Sequence, residues 1–245
     1  MTCLLILSEH ENESQYWEFF TNKMPSVASN ELSVSYCPEL IVDKNKQNSE
    51  SKQWLKNVAK SASKFGIHIQ VDLDKVDTMQ MLKKKTQSSQ CTIMSHEILQ
   101  QINKKPIFSS LHSPLISIPD SFHFIEKCII LFDKKVESIN NFKKFFNQFT
   151  SALSSIEVIL LIEMGKTIND ALKNKMAVEY VVSSLKNVGV ITFKKSHMKD
   201  EVLKYVLEAE SSALVFHKSN YTTLIDSNFI NETQNKKITY YLDEF

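Results

Sequence analysis

Short, continuously apolar runs alternate along this chain with longer stretches whose apolar residues recur at helical spacing. In the second half, residues 128–133 form a run of the first kind, which predicts a strand covered on both faces. Across 138–151, Phe142, Phe145, Phe146 and Phe149 follow the i, i+3, i+4, i+7 pattern of an amphipathic helix, and the stripe reads as core packing. Further strands are predicted at 156–162, 189–193, 213–216 and 238–242, with helices at 171–185 and 201–209. The first half runs through the same series more faintly. Its strands are predicted at 4–7, 32–36, 67–71, 91–94 and 115–118, and its helices at 14–23, 52–64 and 78–86. Trp17 and Trp54 fall on those helices, and residues 40–51 read as a polar surface loop.

Strand–helix alternation implies a parallel sheet with right-handed crossovers and helices on both faces. The two halves also match each other. Glu9 and Asp133 follow their first strands, Ser14 and Ser138 open the next helices, and Asp77 and Asp200 stand before later helical patterns. Gly66 and Gly189 precede third strands, and Pro114–Ile118 pairs with the closing run 238–242. These anchors recur at a near-constant offset of about 124 positions, the signature of a tandem duplication. The predicted organisation is therefore an α/β protein of two tandem domains, 1–121 and 122–245, each with a five-stranded parallel sheet.

Composition narrows the chemistry. Only 3 of the 245 residues are glycine, and all 29 basic residues are lysine. Phosphate cradles need glycine so that backbone N–H groups can approach the ligand. Specific nucleic-acid recognition leans on arginine and a positive field, and here the net charge is +1, so no nucleic-acid partner is expected. No apolar run reaches the roughly 18 residues that a membrane span requires. The opening residues turn acidic at Glu9 and Glu11 and lack a basic signal-peptide region. Cys3, Cys37, Cys91 and Cys128 form no CxxC pair, and three of them open apolar runs, as small buried hydrophobes do. A reduced, cytoplasmic protein with no membrane association is the expectation.

In a parallel sheet the ligand crevice lies outside the carboxyl ends of the strands. Here those ends hold residues 8–13, 72–77, 94–97, 133–137, 193–197 and 216–220. His10 beside Ser8 and Glu9 lacks the G-x-S-x-G context of a nucleophile and reads as a solvated loop. Asp72, Asp74 and Asp77 lack cation-loop spacing and read as a turn, with Asp77 as a helix cap. His96, His112, His123 and His217 lack zinc-ligand spacing. No catalytic motif is present, and no metal site is expected.

The stretch Pro119-Asp-Ser-Phe-His-Phe-Ile-Glu-Lys-Cys-Ile-Ile-Leu-Phe-Asp133, followed by Ser138 and the Phe-rich helix, resembles the join between two domains in tandem universal stress proteins of the Bacteroidetes type. Residues 79–95 resemble that family's third helix and fourth strand. The resemblance implies strand order 3-2-1-4-5 in each domain, and pairing of two such domains, often through their fifth strands. It also implies ATP binding through an acidic residue after strand one and a stretch G-x2-G-x9-G-[S/T] after strand four. Asp133 fits the acidic position, and Glu9 fits it in the first half. No glycine follows Met94 or Phe216 in the corresponding stretches, so the usual triphosphate cradle is expected to be lost.

The expected function is a non-catalytic, stress-response scaffold, an intramolecular pseudo-dimer of degenerate domains that binds a partner protein or itself. On this reading the protein carries no cofactor and is a monomeric pseudo-dimer or a homodimer. The alternative is a regulatory protein that binds ATP, AMP or another small ligand in the strand-end crevice.

Overall fold

The computed structural model describes residues 2–7, 14–23, 32–36, 50–72, 78–104, 108, 111–119, 124–134, 139, 142–146, 149, 153 and 155–243. The chain divides into two compact units, Met1–Phe122 and His123–Phe245. Both have the α/β character that the alternating pattern dictates, and the strand pairings described within each unit are parallel.

The first unit runs β1 (Thr2–Leu7), α1 (Ser14–Lys23), β2 (Leu32–Tyr36), α2 (Glu50–Lys64), β3 (Ile69–Asp72), α3 (Thr78–Ser88), β4 (Ser89–Ser95), α4 (His96–Asn103) and β5 (Leu115–Ile118). Its strands lie side by side in the order β3-β2-β1-β4-β5. Residues Cys3 to Leu7 and Cys91 to Ser95 are buried without interruption. Consecutive burial means that both faces of β1 and β4 are covered, which is why these strands read as unbroken apolar runs. On α1, Tyr16, Trp17, Phe19 and Phe20 are buried. The Trp17 indole N–H donates to Ser61 Oγ on α2 at 3.0 Å, tying the two helices together.

The second unit runs β6 (Lys127–Phe132), β7 (Glu157–Glu163), α5 (Ile168–Ser184), β8 (Val188–Phe193), α6 (Met198–Leu207), β9 (Ser211–His217), α7 (Tyr221–Leu224), α8 (Ser227–Glu232) and β10 (Lys237–Asp243). Between β6 and β7, Ile139, residues 142–146, Phe149 and Leu153 are helical. The strand order is β10-β9-β6-β7-β8. Phe145 and Phe149 from the helical stretch pack on Tyr241 of β10, with ring centroids 4.9 and 6.2 Å apart. The phenylalanine stripe is therefore core, as its spacing predicts.

Several elements differ from the sequence-based expectation. Helix α4 occupies residues for which the pattern predicts no element. Its buried residues Ile98, Leu99 and Ile102 do follow helical spacing, but the helix is only 8 residues long. Helix α5 begins three residues before the predicted start. Thr167 and Asp170 form a capping box there: Thr167 Oγ1 accepts from the Asp170 amide at 3.1 Å, and Asp170 Oδ2 accepts from the Thr167 amide at 3.2 Å. The short helices α7 and α8 were also not anticipated. Asp200 lies inside the first turn of α6 and does not precede it.

Gly66 and Gly189, which the repeat matches, do not occupy equivalent positions. Gly66 has φ +72° and ends α2: its amide bonds to the Ser63 carbonyl, and the Ile67 amide bonds to that of Ala62. That is a Schellman cap, which needs a left-handed residue. Gly189 lies within β8, opposite Ile159 of β7. Strand register explains the difference. Leu32 pairs with Cys3 and Ile69, while Val158 pairs with Cys128 and Val188. Ile69 thus corresponds to Val188, and Gly189 corresponds to Gln70. Glu9, His10, Cys37, residues 40–49, Asp74, Asp77, His123 and Ser138 lie outside the described residues.

Candidate functional site at the strand ends

The carboxyl ends of β6, β7, β8 and β9 are where a parallel sheet places a ligand. Asp133 follows the last residue of β6 directly, and Glu163 ends the neighbouring strand β7. Because Phe132 is in register with Ile162, these two carboxylates stand at adjacent strand ends. Asp133 Oδ2 accepts from Asn220 Nδ2 at 3.5 Å, which links β6 to the turn after β9. Glu163 is held by Lys134, with Nζ 2.7 Å from Oε1 and both side chains only 16% exposed.

Lys134 reaches Glu163 from a left-handed backbone, φ 66°. A residue with a Cβ strains there by about 1–2 kcal/mol. The geometry therefore predicts opposite contributions from backbone and side chain. Lys134→Ala keeps the strain and strips a largely buried carboxylate of its cation, and should cost about 1–3 kcal/mol in urea unfolding. Lys134→Gly also loses the ion pair but releases the strain, and should be more stable than the alanine variant by about 1 kcal/mol.

The loop from β7 to α5 is equally built up. Asp170 Oδ2 accepts from the Lys166 amide at 2.9 Å as well as from Thr167. A Cβ on Gly165 would stand 2.5 Å from the Asp170 Cβ, so this close approach demands glycine. The amide bonds, led by the one from Lys166, hold the Asp170 carboxyl below the usual carboxylate range. Asp226 is lowered too, first by its bond from Lys199 Nζ at 2.7 Å and then by the Phe229 amide that it caps. Both groups bind their proton less readily when folded than when unfolded. Their contribution is therefore complete above the unfolded value of about 3.9 and disappears as pH falls through the lowered folded values. Asp170→Asn and Asp226→Asn should each flatten the fall in thermal midpoint below about pH 4.

In the turn after β9, His217 Nδ1 accepts from the Ser219 amide at 3.2 Å and lies 2.6 Å from Ser219 Oγ. Lys218 is buried. Phe216, Tyr221 and Tyr240 pack together behind the turn, with centroids 6.3 to 6.4 Å apart. Burial pushes the Tyr221 phenol up to about 12 and the Tyr240 phenol higher still.

In the first unit, β4 passes straight into α4. Ser95 Oγ caps the helix by accepting from the Ile98 amide at 3.2 Å, and His96 Nδ1 lies 2.6 Å from Ser117 Oγ on β5. In both units an amide just after the fourth strand is thus bonded to a local side chain, at the start of α4 in the first and in the turn after β9 in the second. His96 and His217 each find a serine, and among the described residues no cluster of three or more metal-ligating side chains occurs. Sequence reasoning placed Asp133 at the rim and put Lys134 and Asn220 in strand-end segments without giving them a role, but it missed Glu163 and Asp170. The Thr167-x-x-Asp170 spacing of a capping box is the signal that could have found Asp170.

A parallel α/β sheet with its crevice at the strand ends defines the class of protein. No protein-family model and no curated protein matches the sequence. Solved structures do match its shape. A universal stress protein from Archaeoglobus fulgidus DSM 4304 superposes with TM-score 0.62 at 11% identity, covering 99% of this chain and 96% of that one. A putative universal stress protein from Pseudomonas aeruginosa UCBPP-PA14 gives 0.56 at 10% identity, with coverages of 98% and 92%. A functionally unknown protein from Pseudomonas aeruginosa PAO1 gives 0.57 at 9% identity, with coverages of 99% and 92%. The protein therefore has the fold of universal stress proteins. Among the described residues, no helix is long and apolar enough to cross a membrane.

Proposed function

We propose that this protein is a universal-stress-like scaffold, a tandem pair of degenerate units acting as the single-chain counterpart of a dimer, in which family-type ATP binding has been lost. One observation carries the reading. After β4 and after β9, where a nucleotide phosphate would take backbone amides, local side chains already cap the chain, through Ser95 on Ile98 and His217 on Ser219. The neighbouring Asp133 accepts from Asn220, and Tyr221 at the same turn is stacked on Phe216.

An interaction role is supported by the outer face of α5. Ile168, Leu172, Met176 and Val182 are 84%, 57%, 52% and 49% exposed. Helical geometry gathers them on one side of α5, opposite the buried Ala177 and Val181. Exposed apolar groups concentrated in this way mark a protein-contact surface. Such a role needs no cofactor and no catalytic group.

Titration with a fluorescent ATP analogue tests the loss of nucleotide binding. No saturable binding is expected up to millimolar concentration. Saturation in the micromolar range, abolished by Asp133→Ala, would establish the competing reading of a nucleotide-binding regulator.

A further inference from the structure

Cys3 on β1 and Cys91 on β4 are 88 residues apart in sequence, yet their sulfurs lie 3.0 Å apart. An irregularity in strand pairing brings them together. Thr2 is in register with Ser89 but Leu4 with Thr92, so β4 carries one extra residue between these pairs. Such a bulge re-aims side chains, and here both thiols meet in the core. They are 2% and 0% exposed. The second unit offers a built-in comparison. Its first strand carries Cys128, equally buried at 0%, but the neighbouring position on β9 is Ala213. Only the first unit has the pair.

The two sulfurs share a hydrogen bond, and it divides their acidity. It pulls the Cys3 thiol below its ordinary value against the opposing effect of burial, and it pushes Cys91 well up. Lone Cys128 is raised by burial with nothing to offset it. Thiolate character sets susceptibility to oxidation, so Cys3 is the attacking sulfur. Bond formation needs the sulfurs to close by about 1 Å, to the 2.0 Å of a disulfide.

We propose that Cys3 and Cys91 are a peroxide-oxidisable dithiol whose disulfide reversibly ties β1 to β4 in the first unit. The oxidant is a hydroperoxide, small enough to enter when the bulge opens locally. The Cys3 thiolate attacks one peroxide oxygen and the O–O bond breaks. This leaves a sulfenic acid on Cys3 and a hydroxide, which takes up the proton that Cys3 had released. The Cys91 sulfur then attacks the Cys3 sulfur. The S–S bond forms, the S–O bond breaks, and the hydroxyl leaves with the Cys91 proton as water. Two thiols are oxidised to one disulfide, and one hydrogen peroxide is reduced to two waters.

The test treats the folded full-length protein with hydrogen peroxide, alkylates the remaining thiols and maps peptides without reduction. The expected result is a Cys3–Cys91 linked peptide that dithiothreitol abolishes, with Cys128 unmodified until the protein is denatured. In Cys91→Ala, Cys3 should instead stop at a sulfenic acid that dimedone traps. The proposal is overturned if both cysteines stay thiols in the native protein, if each oxidises singly to sulfinic acid, or if Cys3 links to Cys37. Mapping of the unaltered protein decides among these outcomes, so a poorly folding variant does not obscure the answer.

Discussion

Phe145→Ala should lower the unfolding free energy by about 3–5 kcal/mol, the usual cost of emptying a buried aromatic site. The residue is 2% exposed and sits at the centre of a ring cluster. Its centroid lies 4.8 Å from Phe149, 4.9 Å from Tyr241 and 5.8 Å from Phe146. Each aromatic pair adds roughly 0.5–1.5 kcal/mol beyond the burial of area. The void would open between the helical stretch and β10, where rings locked on Tyr241 cannot easily collapse. Phe145→Leu keeps most of the volume and should cost well under half as much. Urea unfolding followed by circular dichroism measures both. Equal losses for Leu and Ala would show that the site is not a packed aromatic core.

The second large effect is expected at Trp17→Ala, also about 3–5 kcal/mol. Trp17 is fully buried on α1, and its indole N–H is satisfied only through Ser61 Oγ on α2 among the bonds described. Trp17→Phe retains an apolar ring but leaves the Ser61 hydroxyl without its donor, at a cost of about 1–3 kcal/mol. Ser61→Ala strands the indole N–H and should cost a similar amount. The Trp17→Phe, Ser61→Ala double variant should cost less than the sum of the two, because neither polar group is then left alone. Strict additivity would mean that the hydrogen bond contributes nothing.

The skeleton of this fold was readable in the amino-acid order because parallel strands buried on both faces must be apolar throughout. Runs such as those at 128–132 and 158–162 have no competing explanation. The phenylalanine stripe was readable for the corresponding reason in helices. The errors fall where local hydrogen bonding decides. Helix α4 is short and its apolar residues few, so its start rests on the Ser95 cap. The repeat pointed to Gly66 and Gly189 as partners, but the crossover before β3 and the one before β8 differ in length. A shift of a few residues turns a helix cap into a strand residue.

The candidate site was less legible than the fold. Asp133 could be placed from the end of an apolar run. The contacts around it could not: Lys134 and Asn220 fall in segments at strand ends, but their pairing with Glu163 and Asp133 joins separate stretches of chain. Lys134 in particular carries no signal, since a lysine in a left-handed turn looks like any surface lysine until its φ is known. The scarcity of glycine did carry information. It left the stretches after β4 and β9 without a glycine, but it gave no sign that Ser95 and His217 would accept amide bonds there.

That capping is the centre of the account, and amide NMR during addition of Mg-ATP tests it most directly. If side chains already hold these turns, the amide resonances of Ile98 and Ser219 should stay in place up to millimolar nucleotide, in the unaltered protein and in Asp133→Ala alike. Saturable shifts of the same two amides, lost in Asp133→Ala, would contradict it.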